Sequence, residues 1–144
     1  MNETKHVKDA IGPHEIWFEP DTGFIGVVQV GTLDGAHATS MVEHLAEYAK
    51  RSGGATFVIG DDRRAMGLTR EARSVFVSSD VVRSECHVAL FGASFAFRAV
   101  VNLFVKALTL TGSKFVIHAE ADEAKARAWL AEQRRAYLAR SAKG

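Results

Sequence analysis

Only one cysteine, Cys86, occurs in the 144 residues, so the chain can close no internal disulfide. That suits a reducing, cytoplasmic setting. Net charge is nearly absent: 18 Lys and Arg against 17 Asp and Glu leave +1. Such a balance creates no overall field toward nucleic acid or an anionic membrane. No apolar h-region lies within the opening MNETKHVKDAIG, which therefore does not read as a secretory signal. The most apolar stretch, Phe95 to Leu110, is interrupted by Arg98 and Lys106 and falls short of the ~20 apolar residues that span a bilayer. A Gly-rich phosphate loop is missing too, because Gly53-Gly54 precedes a strand instead of following one. Internal repeats, low-complexity tracts and an interdomain linker are all lacking.

What is present fits one compact domain. The 47% hydrophobic and 24% charged fractions are ordinary for a globular chain of this length. A flexible lead-in is expected over residues 1–12, the domain over 13–138 and a tail over 139–144. His14 to Phe18 reads as a first strand, turned by Pro20-Asp21-Thr22-Gly23 into a second, Phe24 to Val30. The short connection makes these an antiparallel hairpin. Asp34 then caps a helix running to about Arg51, with Met41, Val42, Leu45, Tyr48 and Ala49 on one side.

Thr56 to Ile59 is a third strand, expected to stop at Gly60. A helix from Thr69 to Val77 follows, then a strand His87 to Phe91, the apolar helix 95–110 ending at Thr111-Gly112, and a fifth strand Lys114 to His118. A last amphipathic helix starts near Ala121 and holds Ala124, Ala128, Trp129, Leu130, Tyr137 and Leu138. The order ββαβαβαβα predicts an α/β fold: a mostly parallel, mixed five-stranded sheet entered by an antiparallel hairpin, with four helices.

The corner after the third strand carries the most information. Asp61, Asp62, Arg63 and Arg64 are expected in solvent, just past the carboxyl end of a parallel strand, where open α/β sheets place their sites. Thr69 offers a hydroxyl cap to a helix with Glu71 in its first turn. No catalytic set accompanies the corner, so it is expected to bind or switch.

Enzymatic readings find little support. Cys86 and His87 are neighbours on a strand and point to opposite faces, so they form no thiolate–imidazole pair. Cys86 reads as a small core residue. His37 and His44 lie two helical turns apart, about 10 Å, too far to share a metal ion. His14 and His118 have no evident carboxylate partner and are expected solvated or at the core edge. Asp61 and Asp62 look like a metal-binding pair, but Arg63 and Arg64 offset their charge. No metal, no cofactor and no catalytic residue is therefore expected. In the last helix Arg127, Arg134, Arg135, Arg140 and Lys143 interleave with Glu120, Asp122, Glu123 and Glu132, the pattern of a solvated face rather than a nucleic-acid surface.

The element order resembles the STAS fold of anti-sigma factor antagonists, and within it the SpoIIAA-like branch. The residues behind the resemblance are the Asp61-Asp62 strand end, Gly67-Leu68-Thr69-Arg70-Glu71-Ala72-Arg73, Val88-Ala89-Leu90-Phe91-Gly92, the apolar helix and Glu123 to Leu130. Coverage is roughly residues 13–135. The resemblance implies a non-enzymatic protein-interaction module in bacterial-type signalling. Its partner would be an anti-sigma factor or kinase, bound through Asp61, Asp62, Arg63, Arg64, Leu68, Thr69, Arg70 and Arg73. It also implies a phosphorylated Ser or Thr at the start of the helix after the third strand, which falls on Thr69. Where regulated members carry Asp-Ser-Ser-Gly, this chain has Leu68-Thr69-Arg70-Glu71; Thr69 is thus a phosphoacceptor or simply a helix cap.

The SpoIIAA-like branch is also similar to CRAL-TRIO lipid-transfer domains, which implies an alternative: binding of a small apolar ligand, lipid or membrane surface. The element concerned is helix 95–110, whose apolar residues surround it almost completely. Phe95, Phe97, Val101, Asn102, Phe104, Val105 and Leu108 are the expected ligand face, or the face of a homodimer.

Overall fold

The computed structural model describes residues 7–110 and 112–142. The first half of the expected lead-in, the helix stop at Thr111 and the basic Lys143 lie outside them. The described chain forms β1 (Asp9–Ile11), β2 (His14–Glu19), β3 (Phe24–Leu33), α1 (Gly35–Arg51), β4 (Thr56–Leu68), α2 (Arg70–Ser78), a 3-10 turn at Asp80–Arg83, β5 (Cys86–Phe91), α3 (Phe95–Thr109), β6 (Phe115–Glu120) and α4 (Glu123–Ala142). Six strands lie side by side in chain order. β1, β2 and β3 pair antiparallel, and β3 through β6 pair parallel.

The mixed α/β sheet with four helices is as expected, with one more strand. That strand lies in the second half of the predicted lead-in: Ile11 is buried, and its register opposite His14 turns the chain at Gly12-Pro13. Gly12 has a φ of 59°, and a Cβ there would fall 2.5 Å from the His37 ring, so the turn needs glycine. At the other end, α4 runs through Ala142, so most of the expected tail is helix.

Parity along the strands sorts the core into two layers. Ile25 and Val27 of β3, Val58 of β4, and Cys86 and Val88 of β5 face α1, α2 and the 3-10 turn. Further along the same face, Phe97, Val101, Phe104 and Leu108 of α3 cover Leu90, Phe115 and Ile117. Phe24, Phe57, Ile59, Ala89 and Phe91 face the other way, onto α4. α4 meets them with Ala126 and Leu130, with Trp129 and Tyr137 packed beside them, while Ala124, Ala128 and Leu138 are exposed.

Caps explain where the helices begin. Asp34 accepts from His37 N–H at 2.8 Å, Thr69 from Ala72 N–H at 3.1 Å, and Ser94 from Phe97 N–H at 3.1 Å. Each satisfies one of the amide groups left orphaned in a first turn.

α4 is tied to the hairpin by a buried ion pair. Arg127 donates twice to the Glu19 carboxylate, at 2.9 and 2.8 Å, and Glu19 is only 3% exposed. Burial alone would raise Glu19, but hydrogen bonds from Arg127, Trp17 and Thr22 outweigh it and bring the pKa down to about 2. The expectation that Arg127 belongs to a solvated face is corrected by this pair. His118 is corrected as well: its Nε2 lies 2.6 Å from Glu120 and its ring stacks on Trp129. His14 is fully buried rather than at an edge, with Nδ1 accepting from Val30 N–H.

Candidate functional site

β4 does not stop at Gly60. It continues through the four charged residues to Leu68, paired in parallel with the extended end of β3. Two register shifts accommodate the continuation, between Val28 and Val30 and between Gly31 and Thr32. The Gln29 side chain stitches the irregular stretch, donating to Gly31 O at 3.1 Å and to Gly67 O at 2.9 Å.

Two of the charges that suggested a loop, Asp61 and Arg63, neutralise each other within the strand, and Arg64 stays exposed. Asp61 and Arg63 are two residues apart and share a face; Arg63 donates from Nε at 2.9 Å and from Nη2 at 2.6 Å. Hydrogen bonding to Arg63 holds the Asp61 carboxyl below its usual range, against the opposing effect of burial. Beneath them Gly92 leaves the necessary space, since a Cβ there would fall 2.3 Å from Arg63 Cγ.

Extended backbone sends Asp62 to the opposite face from Asp61. It is therefore buried, at 5% exposure, and not in solvent as its sequence neighbours suggested. Its Oδ2 has no hydrogen-bond partner among the described residues. Burial pushes its pKa up to about 7, and the charge of Asp61 adds to the rise.

Asp62 borders a cavity of about 120 Å³ between the sheet and the α1, α2 and α3 layer. Apart from Gln29 and Asp62, its walls are apolar, among them Val58 and Leu68 of β4, Leu90 of β5, and Phe97, Val101 and Phe104 of α3. The remaining ionisable wall group, Cys86, is pushed by burial to about 12 and stays a neutral thiol. An enclosed apolar cavity of about 150 Å³ stays dry and takes up benzene; at about 120 Å³ this one is somewhat smaller.

A second cavity, of about 240 Å³, lies on the α4 side and is lined in part by Lys8, Trp17, Asp61, Arg63, Glu123 and Arg127. Its carboxylates and guanidinium groups are already matched, Arg63 with Asp61 and Arg127 with Glu19 and Glu123. Lys8 rests 4.6 Å over the Trp17 ring. It is larger but offers a ligand few unpaired groups.

No family model and no curated protein matches the chain in sequence. In three dimensions, an uncharacterized DUF3478-family protein of Shewanella loihica PV-4 with a SpoIIAA-like fold matches at a TM-score of 0.53 and 16% identity. The match covers 90% of this chain and 98% of that one. The fold is SpoIIAA-like. At this identity the likeness concerns architecture alone.

On this SpoIIAA-like sheet the expected corner residues are dispersed rather than gathered. Arg63, Arg64 and Arg70 are exposed, Asp61 and Leu68 are half-buried, and Asp62 faces the cavity. Arg73 turns back to donate to Leu68 O at 2.9 Å. Thr69 is half-buried and uses its hydroxyl as the α2 cap.

Of the expected apolar face, Phe97, Val101 and Phe104 line the cavity, at positions i, i+4 and i+7 of one helical stripe. Leu108 and Val105 pack beside them. Phe95, 82% exposed, and Asn102 point outward and belong to neither. Asp62 in its buried role was missed because a run of four charges reads as loop; the available signal was alternation, with Asp61 and Arg63 sharing one face and Asp62 lying between them. No helix among the described residues is long and apolar enough to cross a membrane.

Proposed function

We propose that the protein binds a small apolar molecule in the cavity between its sheet and α3, without catalysing a reaction. The supporting observation is a cavity of about 120 Å³ whose walls are apolar except at Gln29 and Asp62. Close-packed interiors rarely leave more than a water-sized void, and small-molecule sites pair apolar walls with a few placed polar groups. α3 supplies one wall with Phe97, Val101 and Phe104 while leaving its opposite side to solvent. Among the described residues no nucleophile–base pair borders the cavity, since Cys86 is a neutral thiol and His87 faces α4.

Methyl NMR with toluene as the probe tests the reading. Saturable shifts at Val88, Leu90 and Val101 support it, and the loss of those at Val88 and Leu90 in Val101→Phe locates the site. Shifts confined to exposed methyls such as Leu103 and Leu110, with none at the cavity, refute it.

A second reading, a STAS-type interaction module, is favoured by the exposed strand segment at Arg63 and Arg64 and by Met66, 75% exposed beside them. An anti-sigma factor or kinase is the partner class this fold suggests. A photo-crosslinking residue in place of Met66 should then trap one discrete partner in the host cell, while the same residue at Lys50 on α1 traps none. Identical products from both positions count against it.

A further inference from the structure

A cavity that takes any apolar molecule would gain nothing from an acid in its wall. Asp62 is only 5% exposed, yet its Oδ2 meets no donor among the described residues. Buried carboxyl oxygens are nearly always hydrogen-bonded, and leaving one unmatched is costly. β3 contributes Gln29, whose amide nitrogen is already engaged by Gly31 O and Gly67 O. β5 contributes Cys86, neutral and on the same face. α1, α2 and α3 present only apolar side chains to the cavity, and among its described lining residues there is no Lys, Arg or His. Asp61, the adjacent charge, lies on the opposite face and is engaged by Arg63. Among the described residues the protein thus holds an acceptor at one edge of a small apolar space and supplies no cation to meet it.

We infer that the ligand is an apolar primary amine, its ring or short alkyl body among Phe97, Val101 and Leu90 and its ammonium on the Asp62 carboxylate. This rests on the cavity being a ligand site. The fold already bears the cost of burying the carboxyl, so an arriving ammonium gains a charge-assisted bond in a low-dielectric setting. An apolar carboxylate is disfavoured for the same reason, because two like charges would share the site. Since burial holds Asp62 protonated up to about pH 7, amine binding near or below that pH must expel its proton. The affinity for the amine therefore rises with pH through this range and then levels.

Titration calorimetry with benzylamine, benzyl alcohol and benzoate separates the two claims, because the three share one apolar body. At about pH 8.5, benzylamine is expected to bind at least about tenfold more tightly than benzyl alcohol, with benzoate weakest. The preference is expected to vanish in Asp62→Asn. In the unmodified protein benzylamine should weaken toward pH 6 with measurable proton release, while benzyl alcohol stays flat, a readout that needs no variant. Benzyl alcohol matching or exceeding benzylamine overturns the amine inference and leaves the cavity reading standing. Binding by none of the three overturns both.

Discussion

Exchanging Asp62 for Asn isolates the energetic consequence of the buried acid. The two side chains are nearly isosteric, so the cavity keeps its shape and only the ionisation is lost. In the unfolded chain the carboxyl titrates near its usual 3.8, whereas in the folded protein it holds its proton to about 7. A raised acid pKa means the folded state binds more protons across that interval, so stability falls as pH rises through it and is constant above. The full shift corresponds to about 4 kcal/mol, of which about 3 kcal/mol falls between pH 4.5 and 8.5.

Asn carries no such dependence. Its amide has its own unmet hydrogen bonds, worth about 1–3 kcal/mol, but that cost is the same at every pH. The decisive quantity is therefore the difference between the two proteins as a function of pH, read from urea unfolding at several pH values. Titrating groups that do not feel the charge at position 62 cancel in it. Asp62→Asn is expected to gain on the parent by about 3 kcal/mol from pH 4.5 to 8.5. A flat difference would show that Asp62 is ionised and hydrated in the folded protein, and the buried-acid description would be wrong.

Other perturbations read the remaining features. Val101→Phe places its ring in the cavity and should cost less than about 1 kcal/mol, whereas Ala89→Val in the filled layer beneath α4 should cost about 1–3 kcal/mol; equal costs in urea unfolding would mean the cavity is not there. Arg127→Met strands the Glu19 carboxylate and should cost about 3 kcal/mol. Because Glu19 is depressed from 4.5 to about 2, that cost is complete above about pH 4.5 and shrinks as pH falls toward 2; a pH-independent cost would assign it to lost packing instead. Thr69→Ala should cost about 1 kcal/mol, with Thr69→Ser recovering most of it; a silent Ala variant would remove the cap assignment.

The parts of the fold visible in sequence were those with strong local signals. Short continuous apolar runs such as Thr56 to Ile59 marked the parallel strands, and Asp34, Thr69 and Ser94 cap the helices that followed them. β1 was hidden because only Ile11 of its three residues is buried, so no alternation could show. The continuation of β4 was hidden for another reason: Asp61 pairs with Arg63 along the strand, Asp62 keeps its proton through burial and Arg64 reaches solvent, none of which composition reveals. The same blind spot concealed the site. Phe97, Val101 and Phe104 could be read as one stripe of α3, but the acid facing them lies three elements earlier in the chain and acquires its meaning only from the sheet. Arg127 likewise looked like a surface charge because its partner, Glu19, is 108 residues away.

A crystal structure under xenon pressure asks whether the cavity beneath α3 is open to a small apolar guest. Xenon enters dry apolar cavities of about this volume and is readily seen. A ligand site as proposed predicts a xenon atom between Leu90, Val101 and Phe97, absent from Val101→Phe crystals. A cavity collapsed by inward movement of α3, or filled with ordered water around Asp62, would contradict it.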